Sequence, residues 1–136
     1  MAHWLVKSEP SVYSFEQLIA DKSTVWDGVR NYAARNNLRD MKKGEEIFFY
    51  HSNEGLCIVG IAKLSKEAFQ DPGTDNPNWV AVEIKPLKKL ANPVTLAAMK
   101  ANKKLSNFDL IRIGRLSVCR VSDEEWKEIL RMSNGK

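Results

Sequence analysis

The sequence predicts one α+β domain, built as a mixed β-sheet or partial β-barrel with helices around it. Its 136 residues fit a single domain over 1–136, and 43% hydrophobic with 28% charged residues is typical of globular chains. The predicted elements follow the order β-α-α-β-β-β-α-β-α. Three strands in succession do not fit a doubly wound parallel sheet, in which a helix separates consecutive strands. The order therefore favours a mixed sheet.

The boundaries of the elements follow from hydrophobic periodicity and from residues that begin or end helices. Ser14 with Gln17, and Ser122 with Glu125, are spaced as capping boxes at the start of a helix. Asn92-Pro93 predicts another helix start, because proline is tolerated at the first helical position. The predicted strands cover residues 3–7, 46–51, 56–64, 79–87 and 115–121, and the predicted helices cover 14–20, 29–41, 92–101 and the residues after 122.

The sequence carries none of the motifs that usually mark catalysis, cofactor binding or metal binding. No serine occupies a G-x-S-x-G turn, and neither a Walker loop nor a G-x-G-x-x-G run occurs. His3, His51, Cys57 and Cys119 lack the spacing of zinc ligands. Both cysteines lie in apolar runs, which predicts that they pack in the core. We therefore expect no catalytic residue, no cofactor and no bound metal.

The chain is expected to be intracellular, either cytoplasmic or, in a eukaryote, nuclear. Its longest apolar run, residues 56–62, is far shorter than the roughly 20 residues of a membrane-spanning helix. The first residues lack the pattern of a signal peptide, and two cysteines are too few for a disulfide framework. We expect no membrane partner, and no protein partner is predicted.

The formal net charge of +4 is concentrated in one stretch of the chain. Residues 85–120 contain nine basic side chains and a single acid, Asp109. Such a cluster can bind a phosphate backbone by releasing counterions, and it can equally be a solvated, lysine-rich face. Both interpretations stay open. The basic residues are Lys85, Lys88, Lys89, Lys100, Lys103, Lys104, Arg112, Arg115 and Arg120.

Two of the four tryptophans lie beside polar and basic residues. Trp4 and Trp126 are expected in the core. Trp26 precedes a turn and a predicted helix N-terminus, where free backbone N–H groups can receive an anion or the edge of a base. Trp79 follows a polar loop. Rings in such places can stack a nucleobase, or they can simply fill the core.

Six segments of the sequence resemble the EVE domain family. They are WLVKSEP from Trp4, WDGVRNY from Trp26, ARN from Ala34, FYHS from Phe49, IVGIA from Ile58 and RLSV from Arg115. The similarity extends from the first strand to the last helix. It implies a PUA-like fold, with a curved five- or six-stranded mixed sheet closing toward a barrel. It also implies kinship with the YTH and ASCH domains.

The resemblance further implies a non-catalytic module that binds a modified base in DNA or RNA. The base would be turned out of its strand into an aromatic pocket, and modified cytosine in DNA is one expected ligand. The expected partner is therefore a nucleic acid carrying a modified base. His51 could contact the base or be a structural histidine. The expected pocket residues are Trp26, Asn31, Ser8, Lys7, Tyr50, His51, Ser52 and Trp79, and the expected phosphate contacts are Arg30, Arg35 and Arg115.

Two alternatives stay open at the level of the sequence. The first is a small enzyme acting on a nucleotide or modified base, with His51 and either Ser8 or Glu9 as acid and base. The second is a general RNA-binding module of the PUA type, in which the pocket plays no part.

Overall fold

Six β-strands and five α-helices form the domain in the computed structural model, which describes residues 2–53 and 55–135. A 3-10 helix, Lys103–Leu105, follows α3. In chain order the elements are β1 (His3–Ser8), α1 (Phe15–Asp21), β2 (Thr24–Trp26), α2 (Tyr32–Asp40), β3 (Glu46–His51), β4 (Cys57–Gln70), β5 (Val80–Thr95), α3 (Leu96–Lys100), α4 (Asp109–Arg112), β6 (Val118–Val121) and α5 (Asp123–Ser133).

The strands form one mixed sheet in the order β2-β5-β4-β3-β1-β6. β1 is parallel to β3, and all other neighbouring pairs in this described sheet are antiparallel. The predicted α+β class and the predicted mixed sheet are therefore confirmed. The sheet is open, with β2 and β6 at its two edges. The parallel pairing places the end of β1 beside the end of β3, with Ser8 opposite His51.

The predicted cap residues begin α1 and α5. The Ser122 hydroxyl accepts the N–H of Glu125 at 3.1 Å, and the Glu125 carboxylate accepts the N–H of Ser122 at 2.9 Å, which completes the capping box of α5. Ser14 likewise accepts the N–H of Gln17 at the start of α1. The Gln17 side chain instead donates to Asp21 at 2.8 Å, so the predicted box of α1 is only half formed. A partner four residues along the same helix competes successfully for that amide.

The predicted helix start at Asn92-Pro93 is wrong. β5 continues through this segment, with Val94 opposite Ile58 of β4, and α3 begins only after Thr95, whose hydroxyl caps it. The Asn92 amide donates to the carbonyl of Ser133 at the end of α5, at 2.7 Å. Pairing along β4 and this contact to α5 outweigh the local proline signal, since tertiary contacts override propensity.

The sequence does not predict β2, the 3-10 helix or α4. Each has three or four residues, which is too short for a periodic pattern to register. Conversely, β4 extends beyond the predicted end at 64 because it pairs with β5 as far as Gln70, and β6 begins at Val118 rather than at 115. Within residues 2–53 and 55–135, no helix combines the length and apolar character required to span a membrane.

The core contains the two tryptophans that were predicted to lie there. Trp4 is fully buried and donates from Nε1 to the Glu45 carboxylate at 2.9 Å. Trp126 is nearly buried and stacks on Phe48, with the ring centroids 3.8 Å apart. Cys57 and Cys119 are also buried, so the predicted core packing of both cysteines is confirmed.

Candidate functional site

A cleft of about 520 Å³ lies beside Trp26, and residues of β1, β2 and the segment leading into α2 line it. We call it the Trp26 cleft. Its volume is within the range of about 300–1,000 Å³ that is typical of small-ligand sites. Four predicted pocket residues, Lys7, Ser8, Trp26 and Asn31, come together here with the predicted phosphate contact Arg30. The complete lining is Lys7, Ser8, Glu9, Val12, Tyr13, Thr24, Val25, Trp26, Asp27, Gly28, Val29, Arg30, Asn31 and Ser117.

Trp26 ends β2 and is half-buried in the wall of the cleft. β2 is held by antiparallel pairing with β5, in which Trp26 lies opposite Val82. The Trp26 ring contacts Phe49 edge-on, with centroids 5.5 Å apart, and Tyr13 edge-on at 6.2 Å. Edge-to-face contacts of this kind fix the orientation of a ring. The indole is therefore a positioned surface on which a flat ligand can stack.

The turn after Trp26 is held from behind by the buried carboxylate of Asp71. Gly28, at a φ of +77°, donates its N–H to Asp71 at 2.8 Å, and Arg30 donates from Nη1 to the same oxygen at 2.9 Å. Burial by itself would raise the pKa of Asp71, but hydrogen bonds from Arg30, Gly28 and Gly73 hold that pKa below its usual value. Asp71 is therefore an anion that fixes the turn.

Asn31 and Asp27 supply a hydrogen-bond donor and an acceptor to the cleft. The Asn31 side-chain oxygen accepts the N–H of Ala34 at 3.0 Å and caps α2, which leaves its Nδ2 group as a donor. Asp27 is exposed, and no group in the described part of the chain pairs with its carboxylate. An amide and a carboxylate can together match the donors and acceptors along the edge of a base.

Lys7 and Ser8 occupy the end of β1 and are anchored to neighbouring loops. The Ser8 hydroxyl donates to the carbonyl of Tyr13 at 2.7 Å, which leaves its oxygen able to accept a further bond. The Lys7 ammonium donates to the carbonyl of Gly114 at 2.8 Å. Burial lowers the pKa of Lys7. An anion beside Lys7 would favour its charged form.

Tyr50, His51 and Ser52 do not line the Trp26 cleft, although they lie at the adjacent strand end. Tyr50 and Ser52 line a separate cavity that they share with Lys7. His51 Nε2 accepts the N–H of Phe15 at 3.1 Å, and burial lowers the pKa of His51. A ring nitrogen that accepts a hydrogen bond is unprotonated, so the imidazole is neutral. This geometry supports the structural alternative for His51.

Hydrogen bonds within the fold engage one atom of each residue in the alternative acid–base pair. Ser8 lies opposite His51 across β1 and β3, but the Ser8 proton and the His51 Nε2 lone pair are both engaged in the hydrogen bonds described above. Glu9 accepts the amide of Asn53 at 2.6 Å. Among the described residues, no three His, Cys, Asp or Glu side chains are placed to hold a metal ion.

Trp79 lies outside the residues that line the Trp26 cleft and belongs to a neighbouring surface cluster. Its ring is 5.0 Å from that of Tyr32, and the Arg30 guanidinium is 5.6 Å from its centroid. Arg35 lies over Tyr32 at 4.9 Å and donates to the carbonyl of Asn78 at 3.2 Å. Through Arg30, this aromatic and cationic cluster adjoins the cleft at the start of α2.

The basic residues of 85–120 do not form one patch of free charge. Four of them make ion pairs, which favours the solvated-face interpretation for those four. Arg115 is exposed in the loop before β6. The pairs are Lys89 with Glu16 at 3.2 Å, Lys104 with Glu128 at 3.8 Å, Arg112 with Asp109 at 2.7 Å and Arg120 with Asp40 at 3.4 Å.

Sequence reasoning missed Tyr13, Asp27 and Ser117 as residues of the cleft. Asp27 had a usable signal, because it directly follows Trp26 in the same turn. Ser117 comes from a loop distant in sequence, whereas Tyr13 lies five residues after Ser8. The Ser8 hydroxyl binds the carbonyl of Tyr13, and the N–H of Lys7 binds the carbonyl of Ser117 at 3.0 Å. The contact to Ser117 is long-range, so no local pattern predicts it, and no motif marks Tyr13 as a residue of the cleft.

The chain has close relatives among known proteins. The family model described as "EVE domain" matches residues 2–132. Thymocyte nuclear protein 1 of Homo sapiens is 36% identical over 96% of this chain and 73% of the human protein. The crystal structure of protein Atu2648 from Agrobacterium tumefaciens is 43% identical, with a TM-score of 0.95 over 98% of this chain and 93% of that one. Human THYN1 protein, solved in complex with 5-methylcytosine-containing DNA, is 36% identical, with a TM-score of 0.92 over 100% and 99% of the two chains.

A more distant structure supports the predicted kinship of fold. The YTH domain of the Zygosaccharomyces rouxii MRB1 protein, solved with N6-methyladenosine RNA, has a TM-score of 0.60 over 98% of this chain and 87% of that one. The two sequences are 16% identical, so the likeness concerns the fold alone. The PUA-like architecture that the resemblance implies is confirmed by the match to human THYN1 protein.

Proposed function

This chain belongs to the EVE domain family, and from that premise we propose that it binds nucleic acid carrying a modified base, without catalysis. The modified base leaves its strand and enters the Trp26 cleft. One observation carries the proposal: a positioned, half-buried tryptophan ring forms the wall of a cleft large enough for a base. The complex of human THYN1 with 5-methylcytosine DNA supports it, because that protein aligns with the whole of this chain.

Stacking on Trp26 provides the affinity for the base. Stacking of a base on an aromatic side chain contributes about 1–3 kcal/mol and depends little on which base is present. Val12 and Val25 also line the cleft and are exposed, at 75% and 39%. These apolar side chains give a methyl group on the base a surface to contact, as thymine methyls find in protein–DNA complexes.

Asp27 and Asn31 provide the selectivity for one base over another. A carboxylate accepts from the exocyclic amino group of cytosine, and an amide can donate to the neighbouring ring nitrogen. A base that presents a carbonyl in place of the amino group would leave Asp27 facing another acceptor. Because two acceptors that face each other cannot pair, such a base should bind more weakly than cytosine.

The backbone of the strand is held by Arg30, Arg35 and Arg115. Arg30 reaches the cleft, and Arg35 lies beside it in the same cluster at the start of α2. Contacts to phosphate release counterions, so affinity falls as salt rises. Turning a base out of a duplex costs a few kcal/mol and less in single strands, so single-stranded sites bind more tightly.

The test compares Trp26→Ala with Trp79→Ala, which removes the same side chain outside the cleft. Binding is measured by fluorescence anisotropy with oligonucleotides that differ only in 5-methylcytosine against cytosine, or N6-methyladenine against adenine. Trp26→Ala should abolish the preference for the modified base, while the melting temperature stays within a few degrees of the wild type. Trp79→Ala should retain the preference. A wild type without preference for any modified oligonucleotide would refute the proposal. If Trp26→Ala unfolds, Trp26→Phe is measured in its place, and loss of binding in that variant would also refute the proposal.

Two further measurements separate the alternatives. Incubation with modified nucleosides and oligonucleotides, followed by mass spectrometry, should give no product, because His51 and Ser8 are engaged in structural hydrogen bonds. Product that disappears in His51→Gln would favour the enzyme. A general RNA-binding module would bind structured RNA equally well after Trp26→Ala, whereas the proposed reader loses its preference.

A further inference from the structure

A second cavity, of about 250 Å³, adjoins the Trp26 cleft and shares Lys7 with it. We call it the Lys100 cleft. It lies between the loop that joins β3 to β4 and the segments around α3 and α4. Three of the expected pocket residues, Lys7, Tyr50 and Ser52, line it, but the base contacts proposed for the Trp26 cleft do not account for it. Its walls include Lys7, Lys100, Ser52, Asn53, Leu56 and Leu96.

The charge of the Lys100 cleft differs from that of the Trp26 cleft. Lys7 and Lys100 both line it, and none of its described lining residues carries a carboxylate. The Trp26 cleft, by contrast, includes Glu9 and Asp27. The Glu9 carboxylate accepts a hydrogen bond from the amide of Asn53 in its wall at 2.6 Å, so two lysines stand against one nearby acid and the Lys100 cleft keeps a net positive charge that suits an anion. Lys7 is partly withdrawn from water, which strengthens its interaction with a nearby anion.

The rest of the Lys100 cleft suits the sugar and base of a nucleotide. Leu56 and Leu96 provide an apolar surface, while Ser52 and Asn53 provide polar groups at the same wall. Leu56 is 43% exposed and has a φ of +39°, which is an unfavourable conformation for a residue other than glycine. Its carbonyl accepts the N–H of Leu96 at 2.8 Å, and this bond ties the backbone of Leu56 to the start of α3. Backbone strain of this kind is often retained at binding sites.

The shared lysine relates the two clefts to each other. Adjacent nucleotides are joined by one phosphate, so a strand with one base in the Trp26 cleft must place that phosphate near the junction with the next cleft. Lys7 stands at this junction because it lines both cavities. We propose that the Lys100 cleft holds the nucleotide next to the modified base, and that Lys7 and Lys100 bind the phosphate between the two. This inference rests on the proposed function.

The test uses Lys100→Gln with Lys43→Gln as the matched control. Lys43 is an exposed lysine in the loop between α2 and β3, outside both clefts. The ligands are 5-methyldeoxycytidine and a single-stranded trinucleotide with 5-methylcytosine between two thymines. Lys100→Gln should weaken binding of the trinucleotide by about tenfold, as expected for the loss of a charged contact. It should leave the affinity for the nucleoside unchanged. The slope of log affinity against log salt should become shallower by about 0.7.

A neutral methylphosphonate, placed on the 5′ or the 3′ side of the modified base, locates the contact. The methylphosphonate should lower the affinity of the wild type to that of Lys100→Gln when it is on one side of the modified base, and not when it is on the other. On that same side it should cause no further loss of affinity in Lys100→Gln. Equal losses in Lys100→Gln and Lys43→Gln would overturn this inference and leave the proposed function intact, provided that the wild type still prefers 5-methylcytosine. A wild type that does not distinguish methylated from unmethylated trinucleotide would overturn both.

Discussion

Arg30 donates from Nη1 to Asp71 at 2.9 Å, and the two side chains differ in exposure: 42% for Arg30 and 1% for Asp71. The same carboxylate also accepts the N–H of Gly28 at 2.8 Å and that of Gly73 at 2.6 Å. Asp71 follows β4 directly, whereas Gly28 and Arg30 belong to the wall of the Trp26 cleft. One buried anion therefore ties the β4–β5 loop to the site and fixes both the turn and the arginine at its rim.

Asp71→Ala should lower both stability and affinity. The substitution leaves two backbone N–H groups and the Arg30 guanidinium without their acceptor, which costs about 1–3 kcal/mol in the free energy of unfolding. Binding of a 5-methylcytosine oligonucleotide should weaken because the turn after Trp26 loses its support. Asp75→Ala, in an exposed part of the same loop, should change stability by less than about 0.5 kcal/mol. Urea denaturation and anisotropy measure the two effects, and equal stabilities for the two variants would contradict the role of Asp71.

Asp27→Asn should reduce discrimination between 5-methylcytosine and thymine. Both bases carry the same methyl group, but thymine presents a carbonyl where cytosine presents an amino group. An asparagine can donate to that carbonyl, whereas the carboxylate of Asp27 can only accept. The affinity ratio between matched oligonucleotides should fall about tenfold, within the range of one base contact.

The ratio is the relevant quantity because removing a negative charge raises affinity for any nucleic acid. Asp75→Asn makes the same change of charge away from the cleft. It should raise the affinity for both oligonucleotides without changing the ratio of the two affinities. An unchanged ratio in Asp27→Asn would remove Asp27 from base recognition.

Gly60→Ala should destabilise the fold by overpacking. A Cβ added at Gly60 would lie 2.4 Å from the ring of Phe15, which is fully buried and cannot move aside. Overpacking of a core usually costs about 1–3 kcal/mol. At Gly114 an added Cβ meets nothing within 4 Å, so Gly114→Ala is the matched control and should cost less than about 0.5 kcal/mol. Equal melting temperatures for the two variants in thermal denaturation would contradict the close approach of β4 to α1.

The elements that the sequence predicts are those whose signal is local. The Ser122–Glu125 capping box and the strand ending at His51 depend on neighbouring residues, and both are present. The helix expected at Asn92-Pro93 fails because β5 keeps pairing with β4 across a long separation in sequence. β2 contains three residues and is a strand because it pairs with β5. Three residues are too few to show a hydrophobic period in the sequence.

The same distinction applies to the candidate site. Trp26, Arg30 and Asn31 adjoin one another along the chain, and the structure brings them to one cleft. Tyr50 and Ser52 end the neighbouring strand, yet they line the Lys100 cleft, because the loop to β4 turns toward α3. Packing, and not proximity in sequence, therefore decides which cavity a residue at a strand end lines.

Stability should fall in acid through Glu128. This side chain is 6% exposed on α5, and it accepts hydrogen bonds from Arg131 and from the Asn102 amide, which lower the pKa of Glu128 to about 2. A carboxyl group with a folded-state pKa below its unfolded value stabilises the fold above the unfolded value and loses this contribution as pH falls. The free energy of unfolding should therefore decrease from about pH 4.5 toward pH 2.

Glu128→Gln isolates this contribution. At pH 7 the variant should be less stable by about 1–3 kcal/mol, since it loses charged hydrogen bonds in a buried position. The gap between wild type and variant should narrow as the pH falls, because protonated Glu128 and glutamine are then similar in charge. Glu124→Gln, at an exposed position on the same helix, should follow the wild type throughout. Urea denaturation at pH 7, 4 and 3 measures the gap, and a gap that stays constant across this range would exclude Glu128 as a source of acid sensitivity.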